Sequence, residues 1–216
     1  MKRLLFASFI FILSCSNRHG HNHANQHMHE KSHEILIAGF EDPKRDLWQS
    51  PNMVLKLMGD LRDKKILDLG VGSGYFSHHF LNAGAKVTGA DVDDRFLQHV
   101  KERFSSNKDF STHKLEFDDP KLTAPRYDII FTSNTYHHID KRVDYLKKLK
   151  LGLKPAGIVV IVDFKANDLS LNFGPPVNMR VAFDTVIDEL RLAGFIIQSS
   201  SQKDLPHQYL IIAKNN

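Results

Sequence analysis

The chain has 216 residues, of which 42% are hydrophobic and 25% charged, and its formal net charge is +4. These values are ordinary for a soluble protein with one folded domain and short extensions. The positive charges form no concentrated basic run, so no nucleic-acid partner is expected, and the single cysteine excludes a disulfide within the chain.

The N-terminus has the pattern of a secretory signal. Lys2 and Arg3 precede an apolar run, residues 4–13, that is shorter than the roughly 20 residues needed to span a membrane. The sequence Ile-Leu-Ser-Cys that ends at Cys15 resembles a bacterial lipobox. The resemblance implies that residues 1–14 are a signal peptide, and that a lipid on Cys15 anchors the protein in the cell envelope, facing the periplasm or the surface. An ordinary signal with an incidental cysteine is the alternative, and without a signal the location would be cytoplasmic.

Residues 15–34 are predicted to be a flexible, polar tether that follows the lipid-bearing cysteine. The segment is rich in histidine and has no hydrophobic period with which to form a core. Neutral imidazole binds copper, zinc and nickel, so one hypothesis is a weak and adaptable transition-metal site. The alternative is a tether without a metal. The candidate ligands are His19, His21, His23, His27 and His29.

Residues 35–216 are predicted to form one domain in which strands and helices alternate. The predicted helices cover residues 51–61, 75–82, 94–104, 141–151 and 183–193. The predicted strands cover residues 65–69, 86–90, 112–117, 128–132, 157–162, 195–199 and 209–213. This alternation favours a doubly wound α/β fold, with a mostly parallel seven-stranded sheet and helices on both faces. Residues 200–207 contain no helix, so the last strand is expected to be antiparallel.

The strongest chemical signal follows the first predicted strand, in the sequence Asp68-Leu69-Gly70-Val71-Gly72-Ser73-Gly74. Glycines at alternate positions let the backbone turn sharply and approach a ligand, just before the free N–H groups of a helix N-terminus. The spacing does not match the Gly-x-Gly-x-x-Gly pattern of dinucleotide folds. A carboxylate at the end of the strand also disfavours a phosphate and favours a cationic ligand. Asp91 ends the second strand, where a ribose would be held.

This pattern resembles the first two motifs of class I S-adenosylmethionine-dependent methyltransferases. The resemblance implies that Asp68 and the loop containing Gly70, Gly72 and Gly74 contact the methionine part and the ribose of S-adenosylmethionine. It also implies that Asp91 binds the ribose hydroxyls and that Asp118, preferred over its neighbour Asp119, contacts the adenine. The expected activity is methyl transfer to a small-molecule acceptor whose nucleophilic atom no residue reveals.

The loop after the fourth predicted strand supplies further candidates. Asn134 is expected to bind the charged amino-acid end of S-adenosylmethionine, and His137 or His138 is a candidate general base. The alternative for either histidine is a packing or capping role. Arg180, in a loop expected on the acceptor side, is predicted to be solvated at the surface in preference to binding an anion.

The signal and the domain imply different compartments. S-adenosylmethionine is made in the cytoplasm, whereas a lipoprotein acts outside the inner membrane. An alternative function is therefore a non-catalytic envelope lipoprotein that retains the fold as a cofactor-binding or metal-binding module. The intact acidic and glycine positions favour retained binding of S-adenosylmethionine.

Overall fold

The computed structural model describes residues 32–168, 170 and 174–216, which are organised around a seven-stranded sheet. The order across the sheet is β3-β2-β1-β4-β5-β7-β6. The strands are β1 (Lys65–Leu69), β2 (Lys86–Asp91), β3 (Phe110–Lys114), β4 (Tyr127–Ser133), β5 (Leu153–Phe164), β6 (Phe195–Ser201) and β7 (Gln208–Asn215).

The pairing of the strands confirms the predicted doubly wound, mostly parallel sheet. Strands β1 to β5 pair in parallel, with Asp68 of β1 opposite Gly89 of β2 on one side and Phe131 of β4 on the other. Strand β7 pairs antiparallel with both β5 and β6. The last strand therefore runs against the others, as the helix-free connection before it predicts.

The helices pack on both faces of this sheet. They are α1 (His33–Phe40), α2 (Arg45–Gln49), α3 (Pro51–Met58), α4 (Tyr75–Asn82), α5 (Asp94–Arg103), α6 (Arg142–Gly152) and α7 (Phe183–Leu192). Short 3-10 turns cover Tyr136–His138 and Val177–Met179. The sequence did not predict α1 or α2, and α1 begins within the segment predicted to be a tether. No helix in the described ranges is both long and apolar enough to cross a membrane.

Most of the core lies in two layers, because successive strand residues point to opposite faces of the sheet. On one face, Leu67 and Ile161 pack with α6 and α7 through residues such as Leu146 and Leu190. On the other, Ile66 and the neighbouring strands pack with α3 and α4. Full burial of such an aliphatic side chain stabilises a fold by about 1.5–3 kcal/mol, so the two layers hold the sheet rigidly.

The direction in which the chain winds reverses between β1 and β4. From β1 the chain proceeds to β2 and β3 on one side of the sheet, and from β4 to β5 on the other. In open α/β sheets of this kind, the loops at the carboxyl ends of the strands diverge at such a point and leave a crevice for a ligand. The predicted site residues at the carboxyl ends of β1, β2 and β4 meet at this edge.

Candidate active site

The glycine loop forms the floor of the site between β1 and α4. Gly70 has a φ of +76°, and a side chain there would place its Cβ 2.2 Å from Oγ1 of Thr135. Only glycine adopts this conformation freely and leaves room for the loop after β4. Gly74 has a φ of +83° and starts α4. The loop after β1 is thus closely packed against the loop after β4.

Two buried carboxyl groups flank this loop. Asp68 is 3% exposed and accepts a hydrogen bond of 2.7 Å from Oγ of Ser77. Asp91 is 7% exposed and accepts hydrogen bonds from the backbone N–H groups of Gly72, at 3.1 Å, and Asp93, at 3.0 Å. Burial raises the pKa of Asp68 to about 7 and the pKa of Asp91 to about 6. A ligand that brings a positive charge or hydroxyl donors would stabilise both carboxylates.

A buried cation lies against the acidic end of the site. Arg45 of α2 donates hydrogen bonds to the carbonyl of Phe40, at 2.7 Å, and to Oε1 of Gln49, at 3.2 Å. Its guanidinium lies 3.9 Å from the centre of the Tyr75 ring. Burial lowers the pKa of Arg45 to about 10, so the group remains charged at neutral pH. Sequence reasoning did not find Arg45, since nothing in its local pattern distinguishes it from a surface arginine.

A closed ring of three carboxamides fixes α2 to the sheet, and we call it the carboxamide ring. Gln49 donates to Oε1 of Gln208 at 2.6 Å, Gln208 donates to Oδ1 of Asn134, and Asn134 donates to Oε1 of Gln49 at 3.1 Å. Both glutamines are completely buried. Asn134, predicted to bind the cofactor, is held in a left-handed conformation with a φ of +56°. The ring thereby sets the position of every side chain that α2 presents to the crevice.

The two histidines after β4 differ in their surroundings. Nδ1 of His137 lies 2.9 and 3.0 Å from the two carboxylate oxygens of Asp163, which also accepts backbone N–H groups of His137 and Phe164. The carboxylate makes Nδ1 the donor of this hydrogen bond, so in the tautomer with a single ring proton Nε2 is the acceptor. Burial, with the adjacent His137, lowers the pKa of His138 to about 3. His138 is therefore neutral at physiological pH and a weak proton acceptor.

These groups line one cavity of about 520 Å³. Its wall on the β5 side is mostly apolar and includes Trp48, Phe164, Pro175 and Met179. The rings of Trp48 and Phe164 stack, with centroids 5.7 Å apart and an angle of 29° between their planes. The cavity thus has a charged end around the glycine loop and an apolar end between β4 and β5.

The cavity brings together most of the residues that the sequence proposes for the site. Those that line it are Asp68, Gly70, Gly72, Asp91, Asn134, His137 and His138. Gly74 starts α4 behind the lining, and Asp118 is exposed, with its carbonyl bonded to Lys148. Phe117, rather than Asp118, lies at the cavity. Asp118 is thus not among the residues that the fold gathers there.

The loop after β5 is held by its own arginine. Arg180 donates hydrogen bonds to the carbonyls of Pro175, at 2.9 Å, Lys165, at 3.2 Å, and Asp168, at 2.7 Å. The guanidinium of Arg180, predicted to be solvated, instead binds three part-buried carbonyls. The residue stabilises the loop that closes the apolar end.

The metal-site hypothesis concerns His19, His21, His23, His27 and His29, which lie outside the described residues, as does Cys15. Across residues 32–168, 170 and 174–216, no group of three or more His, Cys, Asp or Glu side chains is placed to hold a metal ion.

Comparison with known proteins identifies the fold. The chain has the fold of class I S-adenosylmethionine-dependent methyltransferases, and residues 67–159 match the family described as a methyltransferase domain. Among solved structures, an S-adenosylmethionine-dependent methyltransferase from Aquifex aeolicus superposes with a TM-score of 0.76, at 24% identity over 85% of this chain and 98% of its own.

Curated relatives include enzymes with different acceptors. The tRNA U34 carboxymethyltransferase of Cellvibrio japonicus is 30% identical over 53% of this chain and 38% of its own length. The erythromycin 3''-O-methyltransferase of Saccharopolyspora erythraea is 25% identical over 77% of this chain and 61% of its own. The chain thus spans little more than a third of the first of these relatives, and the acceptor is not given by either similarity.

Proposed function

We propose that this protein binds S-adenosylmethionine through the residues around the glycine loop and transfers its methyl group to a small-molecule acceptor. The observation that carries the proposal is the meeting of Asp68, Asp91 and Arg45 at one end of a single cavity. Buried carboxylates and a buried guanidinium would be costly to maintain without partners of opposite charge.

The donors and acceptors in this end of the cavity fit the cofactor. Asp91 presents a carboxylate for the ribose hydroxyls, and its position is fixed by two backbone N–H groups. Arg45 and Asp68 offer charges opposite to those of the cofactor's carboxylate and ammonium groups, and Asn134 offers a carboxamide beside them. Phe96 and Phe117 line the same cavity and provide apolar surface for the adenine.

His137 is the proposed general base. When bound, the cofactor supplies a methyl group already activated on a sulfonium, so the protein has to orient the acceptor, exclude water and remove a proton. Asp163 holds His137 in the tautomer that can accept this proton at Nε2. The lowered pKa of His138 makes that residue a weak base.

Calorimetric titration with S-adenosylmethionine and with S-adenosylhomocysteine tests the proposal. We expect Asp91→Asn to weaken binding at least tenfold, because a charged acceptor of hydrogen bonds contributes about 1.5–3 kcal/mol. Asp118→Asn is the matched control and should bind like the wild type, since Asp118 lies outside the cavity. Unchanged affinity of Asp91→Asn would overturn the assignment. Absence of any binding by the wild type would overturn the proposed function.

A further inference from the structure

The charges of the cavity are confined to one end of it. Among the described lining residues, the Asp, Glu, Lys and Arg side chains are those of Arg45, Asp68, Asp91 and Asp93, and all of them surround the glycine loop. The apolar end is lined from β4, β5 and the following loop, together with Trp48 of α2. Apart from the His137–Asp163 pair, its polar side chains are uncharged, because the lowered pKa of His138 keeps that ring neutral.

The sequence of the loop extends this observation. In the loop between Asp168 and Arg180, the described residues that line the cavity are the uncharged Gly174, Pro175, Pro176 and Met179. The two charged residues that bound this stretch are engaged within the protein. Oδ2 of Asp168 lies 2.8 Å from Nδ1 of His207, and Arg180 binds three backbone carbonyls. Nζ of Lys165 donates to two carbonyls before β7, both at 2.9 Å.

An apolar surface of this kind selects against charge. A carboxylate or phosphate that enters a site without a compensating cation loses its hydration and gains no partner, which costs several kcal/mol. An apolar ring gains from the same surface, and the stacked pair of Trp48 and Phe164 offers an aromatic wall for offset or edge-to-face contact. The cavity of about 520 Å³ also has to hold the cofactor, so the acceptor group that enters is small.

We infer that the acceptor is an uncharged small molecule with a flat, apolar ring system, bound between Trp48, Phe164 and Met179. The inference rests on the proposed function, since it assigns the charged end of the cavity to the cofactor. It disfavours a nucleic acid, whose phosphates would require cations near the acceptor end.

The chain offers an unambiguous reporter for this site, because Trp48 is its only tryptophan. In a protein labelled with ¹⁵N, the indole N–H of Trp48 gives one tryptophan side-chain signal. We would saturate the protein with S-adenosylhomocysteine and titrate it with 2-naphthol and with 6-hydroxy-2-naphthoate, which differ by one carboxylate. We expect 2-naphthol to shift the Trp48 signal to saturation with an affinity at least tenfold higher than that of the carboxylate.

Two variants make the test specific. Met179→Lys places a cation at the apolar end and should shift the preference toward 6-hydroxy-2-naphthoate. Phe164→Leu removes the stacked ring and should weaken 2-naphthol binding, while the affinity for S-adenosylhomocysteine stays unchanged and shows that the variant is folded. Equal or tighter binding of the carboxylate by the wild type would overturn the inference. So would a saturable shift of the Trp48 signal by a uridine-containing oligoribonucleotide but not by 2-naphthol.

The two proposals fail in different ways. If S-adenosylhomocysteine does not bind, the proposed function is wrong and this inference falls with it. If S-adenosylhomocysteine binds but the preference for the neutral ring is absent, the proposed function stands and only the acceptor class is wrong.

Discussion

Replacing Gln49 with leucine would test how strongly the carboxamide ring holds α2 against the sheet. Gln49 is completely buried and forms hydrogen bonds with Arg45, Ser133, Asn134 and Gln208. Leucine has a similar size but can make none of these bonds. The substitution therefore separates the polar contribution of Gln49 from its packing.

The expected loss of stability follows from the number of polar atoms that lose a hydrogen-bond partner. A buried polar atom left without a hydrogen bond costs about 1–3 kcal/mol. In Gln49→Leu, four atoms lose a partner, and water from the adjoining cavity can satisfy part of them. They are Nε of Arg45, Oγ of Ser133, Nδ2 of Asn134 and Oε1 of Gln208. We expect the free energy of unfolding to fall by about 3–5 kcal/mol, a large fraction of the 5–15 kcal/mol typical of a domain.

Urea denaturation of the ligand-free protein measures this change. Leu47→Ala on the same helix is the control, because Leu47 is 78% exposed and its loss should change stability by no more than about 0.5 kcal/mol. Gln208→Leu completes a double-mutant cycle, in which breaking the ring twice should cost less than the sum of the single losses. A loss below about 1 kcal/mol for Gln49→Leu, or strictly additive losses, would refute a cooperative ring.

Four further predictions follow from the site and the N-terminus. Gly70→Ala should lower the free energy of unfolding by about 2 kcal/mol or more, because a φ of +76° disfavours a side chain. Gly39→Ala is the control and should cause no such loss, since a Cβ there meets open space. Equal urea midpoints for the two variants would contradict this prediction. Burial raises the pKa of Asp68 from 3.8 to about 7, so ionisation destabilises the folded, ligand-free protein increasingly from pH 4 to pH 7. The stability of Asp68→Asn relative to wild type should rise over that range, and a constant difference would disprove the shift. Cys15→Ser should move the protein from the membrane fraction to the soluble fraction of cells. A wild-type protein found in the soluble fraction would contradict the lipid anchor. The histidines within residues 19–29 should bind copper above about pH 6.5 and release it below that pH. Removing the copper with a chelator should leave the affinity for the cofactor unchanged.

The elements nearest the glycine loop are the ones that the sequence predicts to the residue. β1 covers Lys65–Leu69 and α4 covers Tyr75–Asn82, both as expected from the apolar run and the glycines that bound them. Strong local signals of this kind do not depend on distant partners. The positions of Asp68 and Asp91 at the cavity follow from the same pattern, because both residues lie at the carboxyl ends of parallel strands.

The sequence did not predict the part of the cavity lining that α1 and α2 supply. α2 has five residues, too few to show a helical period, and its main contact is with Gln208, 159 positions later in the chain. The functional interest of Arg45 likewise arises from burial against Tyr75, which tertiary packing alone produces. The sequence predicted Asn134 as a site residue, but it could not predict that Gln49 and Gln208 are its hydrogen-bond partners.

The third strand shows how pairing overrides local preference. The sequence predicts residues 112–117, whereas β3 covers Phe110–Lys114, in register with β2. β3 is an edge strand with few buried residues, so its own pattern specifies its ends weakly. The shift moves the following loop and brings Phe117 to the cavity in place of the expected Asp118.

The position of β7 has a consequence for synthesis on the ribosome. β7 lies between β5 and β6, although it follows both in the chain. Until residues 208–215 have emerged, one edge of β5 lacks its neighbour, and that edge belongs to the fully apolar run from Val159 to Val162. Unpaired edges of this kind readily join a second polypeptide. A nascent chain stalled before Gln208 should therefore bind chaperones strongly and aggregate, whereas one that has released β7 from the exit tunnel should not.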